Sequence, residues 1–332
     1  MKHGTAIEWT HIPGYKGETW NPTVGCTKVS SGCTNCYAER LVNGRLKHIY
    51  PDGFDKVILR PDRLETPLRW KKPRAIFVDS MSDLFHENIS AEFIDKVLAV
   101  AALTPQHIYM ILTKRPERMQ WHIDELLDEV GRKHLIDSIM DQPDWVSLPK
   151  GRSFPRYIEV WPLPNVWLGV SVEDQATADE RIWHLLQTPA AVRFVSYEPA
   201  LGPVNFNGLQ ADGVAYSALE PGNLVKEHID QIIAGGESGP RARPSHPDWF
   251  RTTRDQCAAA GVPFFFKQWG EWIGQNLLEF DHAKQTCTKV DGWLFYKVGK
   301  KAAGHLLDGV AHQAWPVSAD ATPGKPGQGP VV

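Results

Sequence analysis

Three cysteines, Cys26, Cys33 and Cys36, stand within eleven residues in the spacing C-x6-C-x2-C. Three thiols this close cannot all pair as disulfides inside the run, because one is always left over. Gly25 and Gly32 permit a tight loop in which all three point at one metal centre. A closed structural zinc site takes four ligands, and no fourth cysteine or closely spaced histidine follows. A [4Fe–4S] cluster on three cysteines leaves one iron open to a small molecule, which makes it reactive. Two alternatives stand beside that reading. One is zinc completed by a distant member of the 13 histidines, and the other is clustering without a metal.

The elements that must position this loop follow a repeating pattern. The segments Ile7-Glu8-Trp9-Thr10 and Glu18 to Val24 are aromatic and β-prone and lead into the cysteines, and Tyr37 to Gly44 begins a helix. Short apolar runs then recur at Ala75–Val78, His107–Leu112, Val166–Val170, Val192–Val195, Gln231–Ala234 and Val262–Phe266. Helical spacing fills Ala91–Leu103, the stretch after Pro116, Gln175–Leu186 and Pro247–Ala260. Runs this short and unbroken suit parallel strands buried on both faces, and their alternation with helices predicts βαβ units. The expected fold class is α/β, a partial or complete parallel (β/α) barrel with inserted segments. Each run ends in polar or small residues, and in a parallel barrel those ends share the rim where active sites form. Any one such cluster is explained by solvated loops; six on the rim that carries the cysteines point to a single site.

The chain of 332 residues, 42% of them hydrophobic, is long enough for one large barrel. One domain is expected over residues 1–315, with insertions at about 122–165 and 200–229 and a flexible Pro/Gly-rich tail over 316–332. No apolar run approaches the ~20 residues of a membrane span, and the start Met1-Lys2-His3-Gly4 is not a signal peptide. Five cysteines, an odd number, fit a reducing cytoplasm. A net charge of −3 gives no global attraction to nucleic acid, so any such binding needs a local patch. Arg69-Trp70-Lys71-Lys72-Pro73-Arg74 is the dense one: a solvated face by default, or a stacking platform through Trp70.

Other motifs are weaker. Gly235-Gly236-Glu237-Ser238-Gly239 can cradle an anion with its amides or be an ordinary tight turn. His86-Glu87-Asn88-Ile89-Ser90 starts like H-E-x-x-H and stops. Cys257 reads as core and Cys287 as an inert thiol.

A three-cysteine loop after the first strand of a parallel barrel resembles the plan of radical S-adenosylmethionine (SAM) enzymes. The chain is more similar still to the phage and prophage three-cysteine-motif proteins, a radical-SAM-like family. The likeness rests on Ile7-Glu8-Trp9-Thr10, Trp20-Asn21-Pro22 with Gly25-Cys26, Gly32 to Glu39, Ser80 to His86 and Leu112 to Pro116. It continues in Trp167 to Glu173, Glu198-Pro199, Gly235 to Gly239 and Phe265 to Gly270. The usual radical SAM loop is C-x3-C-x2-C with an aromatic before the third cysteine. Here the first gap is longer, Asn35 holds the aromatic's place and Tyr37 follows instead.

The resemblance implies that Cys26, Cys33 and Cys36 hold three irons while SAM chelates the fourth. Reductive cleavage of SAM, with electrons from a donor, then gives a 5′-deoxyadenosyl radical that abstracts a substrate hydrogen. Asp79, Ser80, Ser82, Ser171, Glu173 and Glu198 suit the ammonium and ribose of SAM, and Lys114 or Arg115 its carboxylate. Tyr37 and the Gly235-Gly236 turn join this cofactor set. Lys267 and Glu237 are the candidates for proton handling or substrate contact. A nucleobase in phage DNA or in a nucleotide is the leading substrate. A peptide or small molecule is the enzyme alternative, and a metal-stabilised nucleic-acid-binding protein the non-catalytic one.

Overall fold

The computed structural model describes residues 4–127, 161–222, 224–275 and 286–316. Each apolar run becomes a strand: β1 (Lys16–Trp20), β2 (Arg74–Val78), β3 (Ile108–Thr113), β4 (Val166–Val172), β5 (Val192–Tyr197), β6 (Gln231–Gly235) and β7 (Phe264–Gln268). They form one sheet in chain order, every neighbour parallel. β1 and β7 are its two edges, so the sheet is a curled, partial parallel barrel. Helices α1 (Tyr37–Asn43), α2 (Ala91–Leu103), α3 (Pro116–Leu127), α4 (Gln175–Gln187) and α5 (Pro247–Ala260) follow β1, β2, β3, β4 and β6.

The helices begin where side chains satisfy their free amides. Asp174 accepts from the Thr177 amide at 2.9 Å and closes a capping box on α4. Ser90 caps α2, and His246 with Pro247 opens α5. None of the described helices is long and apolar enough to cross a membrane.

Alternation along each strand builds two cores. Ile76, Ile111, Leu168, Val170, Val195 and Ile232 face outward under the helices. Ala75, Met110, Trp167, Phe194, Ile233 and Phe265 face inward as a separate cluster. That inner cluster is a floor, sealed by the chain's two ends. Trp9 is buried against it, its ring 4.8 Å from Phe77 and 6.1 Å from Phe194. Trp315 lies 5.3 Å from the Phe265 ring, and its indole donates to the Trp9 carbonyl at 3.1 Å. The stretch before it pairs with β7, through Phe266 N–H to the His312 carbonyl at 2.8 Å.

Several expectations shift. Ile7–Thr10 reads as β-prone but contains a 3-10 turn over Glu8–Thr10, with the Thr10 hydroxyl donating to the Ile7 carbonyl at 2.7 Å. Its apolar residues plug the floor and do not extend the sheet. The Phe-rich strand begins at Phe264, after Pro263, which has no amide to donate. Helix α3 continues to Leu127, past the expected start of the insertion at 122, and 128–160 lie outside the described residues. The 200–229 insertion carries a small antiparallel pair, Leu209–Ala211 with Val214–Tyr216. A three-stranded antiparallel sheet that the sequence did not reveal joins Trp272–Gly274, Trp293–Lys297 and Cys287–Val290. The expected tail lies outside the described residues from 317 on.

Trp9→Ala is expected to cost about 3–5 kcal/mol, as deletion of a buried large aromatic does. Urea unfolding monitored by circular dichroism measures it; a loss below about 1 kcal/mol would show that the floor does not need this plug.

Candidate functional site

The strands' C-terminal ends carry the cysteine loop. The chain leaves β1 through Thr23–Val24, which pairs with Ile58–Leu59. Gly25 follows at φ +99°, packed against the carbonyls of Phe54 and Lys56, where a side chain has no room. Its amide donates to the Met81 carbonyl at 3.0 Å, and its carbonyl accepts from the Ser82 hydroxyl at 2.8 Å. The first cysteine is therefore pinned to the turn after β2. Cys33 ends a 3-10 turn over Ser31–Cys33, and Cys36 immediately precedes α1. All three are free and half-buried, and all three line one cavity of about 160 Å³.

The wall opposite the cysteines comes from β2, β3 and β4: Asp79, Ser80 and Ser82, then Lys114 and Arg115, then Ser171. Tyr37 covers the α1 side and donates its hydroxyl to the Ser80 carbonyl. Phe77 and Leu112 form the apolar base of the cavity.

Two carboxylates grip the loop. Glu173, fully buried just beyond β4, accepts from the Ser30 hydroxyl at 3.1 Å, from Lys114, and from Arg181 at 3.1 Å. Gly32 lies directly against it, in space a side chain would need. Glu237, after β6, accepts from the Asn35 amide at 3.1 Å and from Arg243 Nη2 and Nε at 2.6 and 2.9 Å. Arg243 also donates to the Ser31 carbonyl at 3.0 Å. Burial pushes the Glu237 carboxyl up, but the bonds from Arg243 and Asn35 outweigh it and hold the group below the usual carboxylate range.

A third hold falls on Cys26. Arg115 donates to Cys26 Sγ at 3.5 Å, to the Thr27 hydroxyl at 2.8 Å, to Asp83 at 3.2 Å and to Glu87 at 3.0 Å. Asp83 in turn accepts from the Thr113 hydroxyl at 2.7 Å and the Lys114 amide at 3.0 Å. Burial raises the Cys26 thiol to about 12, aided by Asp83 and opposed by Arg115, and burial raises Cys36 as well. A metal binding here displaces the protons of both thiols. Among the described residues no group of three or more His, Cys, Asp or Glu converges as the ligand set of an ion.

Residues 4–316 match the model of a family described as a protein of unknown function, DUF5131. The chain belongs to the DUF5131 family. No curated protein and no solved structure matches it. The family match spans the cysteine loop, all seven strands and the closing segment at Trp315.

The remaining candidates fall elsewhere on the mouth. Lys267 pairs with Glu198 at 3.1 Å, and Glu198 also accepts from the Ser196 hydroxyl at 3.2 Å. Gly235 packs against the Glu198 carboxylate and Gly236 against the Trp269 carbonyl, both buried, which favours the tight-turn reading over an open anion cradle. The Arg69–Arg74 run sits at the other end of the sheet, since Arg74 opens β2. Trp70 is covered there by the Arg74 guanidinium at 4.5 Å from its ring centroid, and Arg69 pairs with Glu65 at 2.7 Å. Sequence reasoning missed Ser30, Asp83, Arg181 and Arg243 as holders of the loop. Asp83 stands inside the quoted Ser80–His86 motif; the others carry no local signal.

Asp79 is the acid with spare capacity. It is buried at φ +54°, with Oδ1 accepting the Thr23 amide at 3.0 Å and Oδ2 without a hydrogen-bond partner. Burial raises its carboxyl to about 8. A folded-state pKa above the unfolded value stabilises fully below the ordinary carboxylate range and loses that contribution as pH rises through about 8. Between pH 5 and pH 8.5, Asp79→Asn should therefore gain about 1–4 kcal/mol on the unsubstituted protein. Urea unfolding at both values tests this, and an equal pH dependence in the two proteins would contradict it.

Proposed function

We propose that this chain is a radical SAM enzyme, with Cys26, Cys33 and Cys36 as ligands of a [4Fe–4S] cluster. The observation that carries the reading is that three free cysteines line one cavity at the C-terminal mouth of a parallel partial barrel. A four-iron cube on three cysteines leaves one iron for a small molecule, so three cysteines lining one cavity suit it better than a closed tetrahedral ion, which needs a fourth donor. When bound, such a cluster would supply one electron to cleave SAM into methionine and a 5′-deoxyadenosyl radical, which would take a hydrogen from the substrate.

The chain's own residues bind and orient. The unpartnered Asp79 Oδ2 suits the SAM ammonium, because a cation beside the buried carboxyl would favour its ionised form. The Ser80 and Ser82 hydroxyls already donate, to Asn21 and Gly25, and keep acceptor capacity for ribose hydroxyls. Lys114 has donors beyond its bond to Glu173 and suits the SAM carboxylate, whereas the guanidinium of Arg115 is committed to the loop. Glu173 and Glu237 act as loop braces. Phe77 and Leu112 keep water from the base of the cavity. Lys267 stays a candidate for proton handling or substrate contact, held by Glu198 from the expected cofactor set, whereas Glu237, the other candidate, is taken up by Arg243 and Asn35.

A nucleotide or DNA substrate would bring phosphates, and three cations beside the cysteine loop suit them. Arg40 lies one helical turn beyond Tyr37 and packs against Gly239; Lys297 donates to the Pro240 carbonyl; Arg241 is exposed beside them. None of the three has an ion-pair partner among the described residues.

Iron content tests the ligand set. Reconstituted anaerobically with iron and sulfide, the unsubstituted protein should bind four irons and release 5′-deoxyadenosine from SAM under reductant. Cys33→Ala should lose both, and Cys257→Ala neither; equal iron in Cys33→Ala and the parent would refute the assignment. Binding of a single-stranded oligonucleotide tests the substrate side. Replacing Arg40 and Arg241 by Gln should lower the slope of log K against log salt by about 1.4, two contacts at ~0.7 each. An unchanged slope would remove nucleic acid as the anionic partner of these residues.

A further inference from the structure

We propose that Arg115 raises the reduction potential of the metal centre at Cys26, a role that rests on the iron–sulfur reading above. Among the described residues Arg115 is the cation hydrogen-bonded to a loop cysteine, with Nη1 3.5 Å from Cys26 Sγ. Among the described residues the hydrogen-bond partner of Cys33 Sγ is the uncharged Ser30 hydroxyl, at 3.9 Å. The guanidinium is not free to swing away. Nη2 donates to the hydroxyl and carbonyl of Thr27 at 2.8 and 3.3 Å, Nη1 to Asp83 at 3.2 Å, and Nε to Glu87 at 3.0 Å. Its side chain is 11% exposed, so solvent and salt screen its charge weakly.

Reduction adds one electron, taken from an external one-electron donor, to a centre that thiolates already make negative. A fixed cation and a hydrogen bond at one ligand sulfur favour the more negative state, and cluster potentials follow net charge and hydrogen bonds to sulfur. Glu87 acts in the opposite sense. It holds Arg115 from the solvent side, 59% exposed, and partly offsets its charge. Asp83, bonded to Nη1 and opposing Arg115 at Cys26, is a second negative charge, so Arg115 acts against both acids in setting how strongly reducing the chain's electron donor must be.

The test uses the reconstituted full chain, with iron per chain measured alongside an EPR-monitored dithionite titration. Arg115→Gln should shift the midpoint to more negative potential and Glu87→Gln to more positive potential, both at the parent's iron content. Lys96→Gln, on α2 and paired with Glu92, should leave it where it is. Opposite shifts cannot come from general loosening of the loop. If Arg115→Gln and Glu87→Gln both keep the parent's midpoint, the proposal is overturned. Should Arg115→Gln fail to take up iron, Glu87→Gln decides alone: an upward shift supports the proposal and the parent's midpoint overturns it. A parent chain that takes up no iron and sulfide fails at the earlier reading, and this proposal falls with it.

Discussion

Everything at the mouth depends on the two buried carboxylates that clasp the cysteine loop. A loop of this length has no secondary structure to hold it except one short 3-10 turn. Glu173 takes it at Ser30 and Glu237 takes it at Asn35, so both halves are tied to strand ends of the barrel. A buried carboxylate is costly unless paired, and each of these is paired with an arginine, Arg181 or Arg243. Removing either acid would leave a stranded guanidinium as well as a loose loop. The same carboxylates are thereby withdrawn from ligand binding, which leaves Asp79 as the acid open to the cavity.

The barrel divides its interior by height. Low in the strands the inward residues are Ala75, Met110, Trp167, Phe194 and Phe265, an apolar floor stopped by Trp9 and Trp315. Two or four residues further along the same chain segments they are Asp79, Ser171, Ser196 and Lys267, all at the mouth. Period-two alternation keeps both sets on one face, so the packing that stabilises the sheet also aims the polar groups at a common volume. An ion pair such as Lys267–Glu198 is stronger there than on the surface, because low-dielectric walls screen it less.

Much of this was legible in the chain. Parallel strands buried on both faces give short unbroken apolar runs, and six of the seven were visible within about two residues of their observed bounds, whereas the first, read as Glu18 to Val24, spans Lys16–Trp20. The cysteine spacing located the loop, and the polar strand ends located its surroundings. What was not legible depends on contacts remote in sequence. Ser30 meets Glu173 across 143 residues and Asn35 meets Glu237 across 202, so the acids' bracing role had no local trace. Ile7–Thr10 has the aromatic, branched character of a strand, yet those residues serve equally well as a plug. The Arg69–Arg74 run is as dense in charge as it reads, but its distance from the mouth was not legible: β2 begins within it and carries the chain to the opposite end of the sheet.

The central claim, an open-iron cluster that receives SAM, is tested most directly by the EPR spectrum of the reduced, reconstituted protein with and without SAM. SAM chelating the fourth iron should change the shape and g values of the cluster signal, and Cys33→Ala should show no such signal. A colourless protein carrying one zinc per chain, or a cluster signal identical in the presence and absence of SAM, would contradict the account.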